Sequence, residues 1–327
     1  MYLTKRVLLI GTLLATSLLS PAQTAPSQPP RSLLVNVLDR NGNAVRDLTK
    51  NNFRIKVNKQ PAVVLDAYYS LAPRRVVVLL DTSGSMAGEH GNKKWQIARE
   101  AVTDVSTIKP ADTPLAFIAF SDQVNTTFGF GQGRPAIADW LKQAPSQREK
   151  VRGRTALFDA VVAGVKLLQP VQLGDAIYVI TDGGDNRSHI SASDTKKLLL
   201  LSGIRLFVFL FAEPMVMEEE REGVDTVMDI ARDSGGFVFG ASRHSLNLGS
   251  GFSSFDVMYD YNDRAREKMD LYAQEFSIQV NGFYSVQVTV PVQFGKGKVS
   301  LEIVDAAGTP RKDVGYAFQR VIIGQGK

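Results

Sequence analysis

Residues 75–80 read Arg-Val-Val-Val-Leu-Leu, a run with no polar residue after its first position. A strand that covers one face of a sheet alternates apolar and polar residues, whereas a strand apolar at every position is stable only where both faces are covered. That is the situation of a parallel strand held between two layers of helix. The surrounding sequence supplies the helices. Lys94–Ile108 carries Trp95, Ala98, Val102 and Val105 at helical spacing and stops before Pro110. Strands are expected at Leu115–Ser121, Asp175–Thr181, Arg205–Phe211 and Gly236–Gly240, and helices at Ala136–Gln143, Leu157–Leu168, Ser191–Leu201 and Val224–Asp233. The alternation predicts an α/β fold with a doubly wound, mainly parallel sheet, whose ligand sites lie at the carboxyl ends of the strands.

The flanks follow a different rhythm. Leu33–Leu38, Phe53–Val57 and Ala62–Tyr69 read as strands separated by turn signals, as do Glu275–Val280, Tyr284–Val290, Lys298–Val304 and Tyr316–Ile323. Each set alone would leave an apolar face uncovered, so the two are expected to pair into one β-sandwich into which the α/β domain is inserted. The expected division is 1–22 signal peptide, 23–30 spacer, 31–72 N-terminal β segment, 73–272 α/β domain with a terminal helix, and 273–327 C-terminal β segment.

Lys5 and Arg6 precede an apolar run from Val7 to Leu19, and Ser20-Pro21-Ala22 offers small residues for cleavage after Ala22. Thirteen residues cover roughly 20 Å as a helix, short of the roughly 30 Å hydrocarbon core, which favours a cleaved signal over a retained anchor. No later segment is long and apolar enough to span a bilayer, so the mature chain is expected in the periplasm or outside a bacterial cell. The absence of cysteine removes disulfides, thiolate metal sites and cysteine nucleophiles, and His90, His189 and His244 stand in no zinc-enzyme spacing. A net charge of +5 without a long basic tract does not suggest nucleic-acid binding.

Three strand ends carry chemistry. Asp81-Thr82-Ser83-Gly84-Ser85-Met86 follows the 75–80 run, and its carboxylate and hydroxyls either cap a helix or converge as oxygen ligands for a hard cation such as Mg2+. Thr155, in Gly153-Arg154-Thr155-Ala156-Leu157-Phe158-Asp159-Ala160, stands at the entrance of an apolar helix, where capping and ligation are compatible roles. Asp182 begins the acidic, glycine-rich loop Asp182-Gly183-Gly184-Asp185-Asn186. Facing Asp81 across the switch point it would repel that carboxylate, so a bound cation is the lower-energy arrangement.

Together these residues resemble the metal-ion-dependent adhesion site of von Willebrand factor type A domains: Asp81-x-Ser83-x-Ser85, Thr155 within Gly-x-Thr-Ala-Leu-x-Asp-Ala, and Ile180-Thr181-Asp182-Gly183, in the family's order. The resemblance covers about Arg74–Ser242 and extends to a terminal helix near Asp256–Tyr272. It implies that Ser83, Ser85 and Thr155 coordinate a divalent ion while Asp81 and Asp182 hold it directly or through water. The ion would be Mg2+, with Mn2+ or Ca2+ as alternatives, and one coordination position would stay open to an Asp or Glu of a partner protein.

Two function classes follow. One is an exported, non-enzymatic, Mg2+-dependent protein-binding module for adhesion or envelope-complex assembly. The alternative is a metal-assisted hydrolase using the same ion. No histidine lies in the three motif loops, and neither a GxSxG elbow nor a P-loop is present, which weighs against the enzyme. Met215–Glu222 reads as a solvated loop or helix start, with a partner-contact lip as the other reading, and Asp260–Lys268 as an exposed helix face.

Overall fold

The computed structural model describes residues 30–71, 74–87, 93–108, 110–143, 153–212, 218–242, 253–256, 263–290 and 294–324. The expected signal and its cleavage point lie outside these residues, as do Met215, Val216 and Met217.

The chain opens with four strands, β1 (Arg31–Asp39), β2 (Phe53–Val57), β3 (Gln60–Pro61) and β4 (Val63–Ser70). An α/β unit follows: β5 (Val76–Asp81), α1 (Lys94–Ser106), β6 (Leu115–Phe120), β7 (Val124–Phe128), α2 (Gly133–Gln143), α3 (Leu157–Leu167), β8 (Ala176–Thr181), α4 (Ala192–Ser202), β9 (Arg205–Ala212), α5 (Glu218–Ser234), β10 (Val238–Ser242), β11 (Ser253–Asp256) and α6 (Asp263–Asn281). Four strands close the chain: β12 (Phe283–Thr289), β13 (Lys296–Ile303), β14 (Val314–Phe318) and β15 (Val321–Ile323).

Among the described residues the α/β sheet has seven strands in the order β11-β10-β9-β8-β5-β6-β7, all parallel except β7. β5 is buried at each position, and its apolar residues, Val76–Leu80, divide their side chains between two cores. Val76, Val78 and Leu80 pack with Ile97, Val102, Ile137, Met269 and Phe276 beneath α1, α2 and α6. Val77 and Leu79 pack with Leu157, Val161, Leu199 and Val227 beneath α3, α4 and α5. This is the doubly wound arrangement expected from the sequence, with β5 at the point where the strand order reverses.

The flanking stretches meet in two antiparallel sheets, β14-β1-β12-β4 and β15-β13-β2-β3. β1 lies between β12 and β14, with Val35 opposite both Tyr284 and Phe318, so the two ends of the chain share one sheet. Leu33, Val35, Phe53, Ile55, Val286, Val299 and Leu301 fill the space between the sheets, making the expected sandwich.

Several elements depart from expectation. Glu275–Val280 is not a strand but the last part of α6, because Met269, Tyr272, Phe276 and Val280 form one buried helical stripe that the alternation Phe276, Ile278, Val280 imitates locally. Tyr316–Ile323 is not one strand: the chain leaves the first sheet after Phe318 and joins the second at Val321. β7 and β11, edge strands with little apolar alternation, were not expected. Arg266, on the helix face read as exposed, donates to Asp104 at 2.9 Å and so clamps α6 to α1.

One buried contact couples the two units. Arg205, 1% exposed, donates to the carbonyls of Gln279 at 2.8 Å, Val280 at 3.2 Å and Gly174 at 3.3 Å, and to Asn36 Oδ1 at 3.2 Å. Its guanidinium lies over the rings of Phe207 and Phe283. A cation at the carboxyl end of α6 also complements the helix dipole. Burial, with Arg74 nearby, pushes its pKa down to about 9, which still leaves it charged at neutral pH.

Candidate metal centre

β5 ends in Asp81, which is fully buried. Its Oδ1 accepts from the Ser83 N–H at 2.8 Å, folding 81–83 into a tight turn, and its Oδ2 accepts from Thr181 Oγ1 at 2.7 Å. A short 3-10 turn, Gly84–Ala87, follows and is pinned by the fully buried Met86. The hydroxyls of Ser83 and Ser85 stand side by side, 3.2 Å apart. Ser83 is buried and Ser85 exposed, so the cradle opens to solvent at Ser85. Thr82 turns away, its N–H and Oγ1 both donating to the Phe120 carbonyl at 2.7 and 2.8 Å, which fastens this loop to the end of β6.

The second loop is stitched to the first and the third through its backbone. Gly84 N–H donates to Gly153 O at 3.1 Å, and Ala156 N–H to Ser121 O at 2.7 Å. Thr155 N–H donates to Asn186 Oδ1 at 3.0 Å, while Thr155 O accepts from the N–H groups of Asn186 and Arg187, both at 3.0 Å. Thr155 is 4% exposed. It is not the cap of α3: that position falls on Ala156, which makes no side-chain cap, and the Phe158 N–H instead donates to Asp185 Oδ2 at 2.9 Å. A carboxylate of the third loop satisfies the helix end, so the Thr155 hydroxyl carries no capping duty.

The third loop follows β8. Asp182 leads into Gly183, whose φ of +88° is a conformation that suits glycine. Gly223 of α5 approaches so closely that a Cβ there would lie 2.8 Å from Gly183 O. The loop is therefore held between α3 and α5.

The electrostatics follow from this convergence. The Asp81 carboxyl is pushed up to about 7, first by burial and then by the charge of Asp182, against the lowering effect of bonds from Ser83 and Thr181. Two like charges that act on each other in a buried site repel, so the pair calls for a cation. The chain carries a partial answer in Lys94, the first residue of α1, whose Nζ lies 3.3 Å from Asp182 Oδ2 and 3.0 Å from the Ser85 carbonyl.

The residues fit a hard divalent ion. Every side-chain donor is oxygen, two are carboxylates, and a buried ammonium already stands beside one of them. Among the described residues no three His, Asp or Glu side chains converge on one point, so the remaining donors have to be hydroxyls and water. Asp81, Ser83 and Ser85 come from the first loop, Thr155 from the second and Asp182 from the third, all at the carboxyl end of the sheet. Sequence reasoning missed Lys94, which reads as a polar position at a helix start, and Thr181, which reads as a strand residue. It took Asp185 and Asn186 for plain loop residues, whereas they hold the second loop in place.

Residues 76–184 match the family model for the von Willebrand factor type A domain. No curated protein matches the chain. Among solved structures, the hypothetical protein BatB from Bacteroides thetaiotaomicron is similar at 18% identity and a TM-score of 0.42, over 63% of this chain and 98% of that one. A von Willebrand factor type A protein from Catenulispora acidiphila is similar at 15% identity and a TM-score of 0.39, over 91% of this chain and 75% of its own. Proximal thread matrix protein 1 of the mussel byssus, with zinc in its adhesion-site motif, is similar at 14% identity and a TM-score of 0.45; the match covers 67% of this chain and 49% of the mussel protein.

Proposed function

We propose that this chain is an exported, Mg2+-dependent protein-binding module. Asp81, Ser83, Ser85, Thr155 and Asp182 hold the ion, and an Asp or Glu carboxylate of a partner protein completes its shell. The observation that carries the reading is the facing of two carboxylates in a strand-end cradle whose other side-chain donors are hydroxyls, where burial first and the charge of Asp182 second drive Asp81 to about 7. The family match, which spans both Asp81 and Asp182, supports it. Once bound, the ion supplies a positive charge and a coordination position that a carboxylate can fill. Mn2+ or Ca2+ satisfies the same oxygen donors.

The chain's own residues make this a recognition surface. Ser85 sits at the exposed mouth, where a partner side chain arrives, while Asp81 stays buried and is oriented by Ser83 and Thr181. The backbone bonds among the three loops fix their spacing before any partner binds, which lowers the ordering cost of recognition. Export rests on the basic start and apolar run of residues 5–19. No helix among the described residues is long and apolar enough to cross a membrane. Adhesion or assembly of an envelope complex is the role such a module serves.

The test is capture of partners from envelope extract by immobilised mature protein, with Mg2+ or with EDTA, using wild type, Ser83→Ala and Thr155→Ala. Capture that requires Mg2+ and is lost in both variants, with folding retained, supports the proposal. Capture unchanged in EDTA places recognition on another face. Mg2+-dependent turnover in a hydrolase screen, abolished in Asp81→Ala, would establish the enzyme instead.

A further inference from the structure

Lys94 occupies a position that ordinary helix chemistry disfavours. It is the first residue of α1, and the positive end of a helix dipole repels a cation. No acidic residue stands in the first turn of α1 to offset this. Its side chain is nonetheless 4% exposed, and its ammonium reaches Asp182 Oδ2 at 3.3 Å and the Ser85 carbonyl at 3.0 Å. A buried ammonium at a helix amino end persists only where anionic and carbonyl oxygens compensate it. These two oxygens belong to the first and third loops of the cradle.

We propose that Lys94 is the cradle's own cation: by pairing with Asp182 it partly offsets the two carboxylates in the metal-free protein and must withdraw when a divalent ion enters. The inference rests on the ion-binding reading above and deepens it by naming the residue that sets ion affinity. Two carboxylates balance either one divalent ion or, in part, one ammonium; a divalent ion beside an ammonium leaves the cradle with excess positive charge. Ion entry and the Lys94–Asp182 pair are therefore competitors for Asp182. By linkage, whatever stabilises the pair weakens the ion by the same factor.

Two measurements test it. The first is titration of Mg2+ and Mn2+ into wild type, Lys94→Met and Lys94→Gln by calorimetry. We expect roughly tenfold tighter binding in both variants, the factor that corresponds to removing one competing charge of modest strength. The second is melting in EDTA of Lys94→Met, Asp182→Asn and the double variant. Lys94→Met should lower the melting temperature where Asp182 is present and change it little in the Asp182→Asn background.

The outcomes separate this inference from the parent reading. Ion binding in wild type with equal or weaker binding in both Lys94 variants overturns the role of Lys94 and leaves the ion site standing. A silent wild type alongside variants that do bind ion supports Lys94 as the cradle's cation and overturns Mg2+ dependence of the natural chain. Silence in all three overturns both. Additive melting shifts in EDTA overturn the charge pairing.

Discussion

Thr181 Oγ1 donates to Asp81 Oδ2 at 2.7 Å, joining the ends of two neighbouring parallel strands through a pair of fully buried side chains. The same Oγ1 accepts from Gly183 N–H at 3.1 Å. One hydroxyl therefore orients the carboxylate of the first loop and the backbone of the third. Thr181→Val keeps the shape and removes both bonds. We expect a loss of about 1–3 kcal/mol of stability in EDTA, because a buried carboxylate oxygen loses its donor. Mg2+ affinity should fall several-fold; chemical denaturation and calorimetry read the two effects.

Asp81 also makes the metal-free fold sensitive to pH. Its carboxyl is raised from 3.8 to about 7, so between those values the folded chain holds a proton that the unfolded chain releases. The contribution is full below about pH 4 and is lost as pH rises through about 7. Asp81→Asn mimics the protonated form. In EDTA, the stability of Asp81→Asn relative to wild type should therefore increase from pH 5 to pH 8, as measured by urea denaturation at each pH.

Asn186 tests whether loop spacing matters independently of the ligands. Its Oδ1 receives the Thr155 N–H at 3.0 Å, yet its own side chain is exposed and adds little to the core. Asn186→Ala should cost about 1 kcal/mol or less in folding stability. Mg2+ binding should weaken several-fold because Thr155 loses one of its three bonds to the third loop, those from the backbone N–H groups of residues 186 and 187 remaining.

Arg205 lies at the amino end of β9, the end of the sheet opposite the cradle. Arg205→Leu leaves the carbonyls of Gln279 and Val280 without their charged donor and removes its bond to Asn36 of β1, while the bonds from Asn36 Nδ2 to the Gln279 and Gly282 carbonyls remain. A loss of about 3 kcal/mol is expected, the scale of one or two charge-assisted bonds. The increase in melting temperature produced by Mg2+ should be unchanged, which separates a coupling residue from a site residue.

The parts of the molecule that local pattern specifies were legible in the sequence. Val76–Leu80 demands two covering layers whatever lies elsewhere, and the polar residues that interrupt such runs, Asp81 and Asp182, mark the strand ends where the loops converge. Residues whose role depends on distant partners were not legible. Arg205 reads as an ordinary strand start because Asn36, which it meets, is 169 positions away. Lys94 reads as a solvated helix residue because its contact with Asp182 spans 88 positions. Glu275–Val280 was misassigned because six residues containing Phe276, Ile278 and Val280 satisfy a two-residue period as well as part of a helical one, and only the longer stripe from Met269 decides between them. β7, with Asn125, Thr126 and Thr127 at its centre, lacks the apolar signal that a two-sided strand carries.

The central claim is that five residues from three loops form one divalent-cation site, and calorimetric titration of Mg2+ into chelator-stripped protein tests it most directly. Wild type should bind one ion, and Asp81→Ala, Ser83→Ala and Thr155→Ala should each lose the binding heat while retaining the helical circular-dichroism signal. Absence of binding heat in wild type for both Mg2+ and Mn2+, with identical melting curves in metal and in EDTA, would contradict the account.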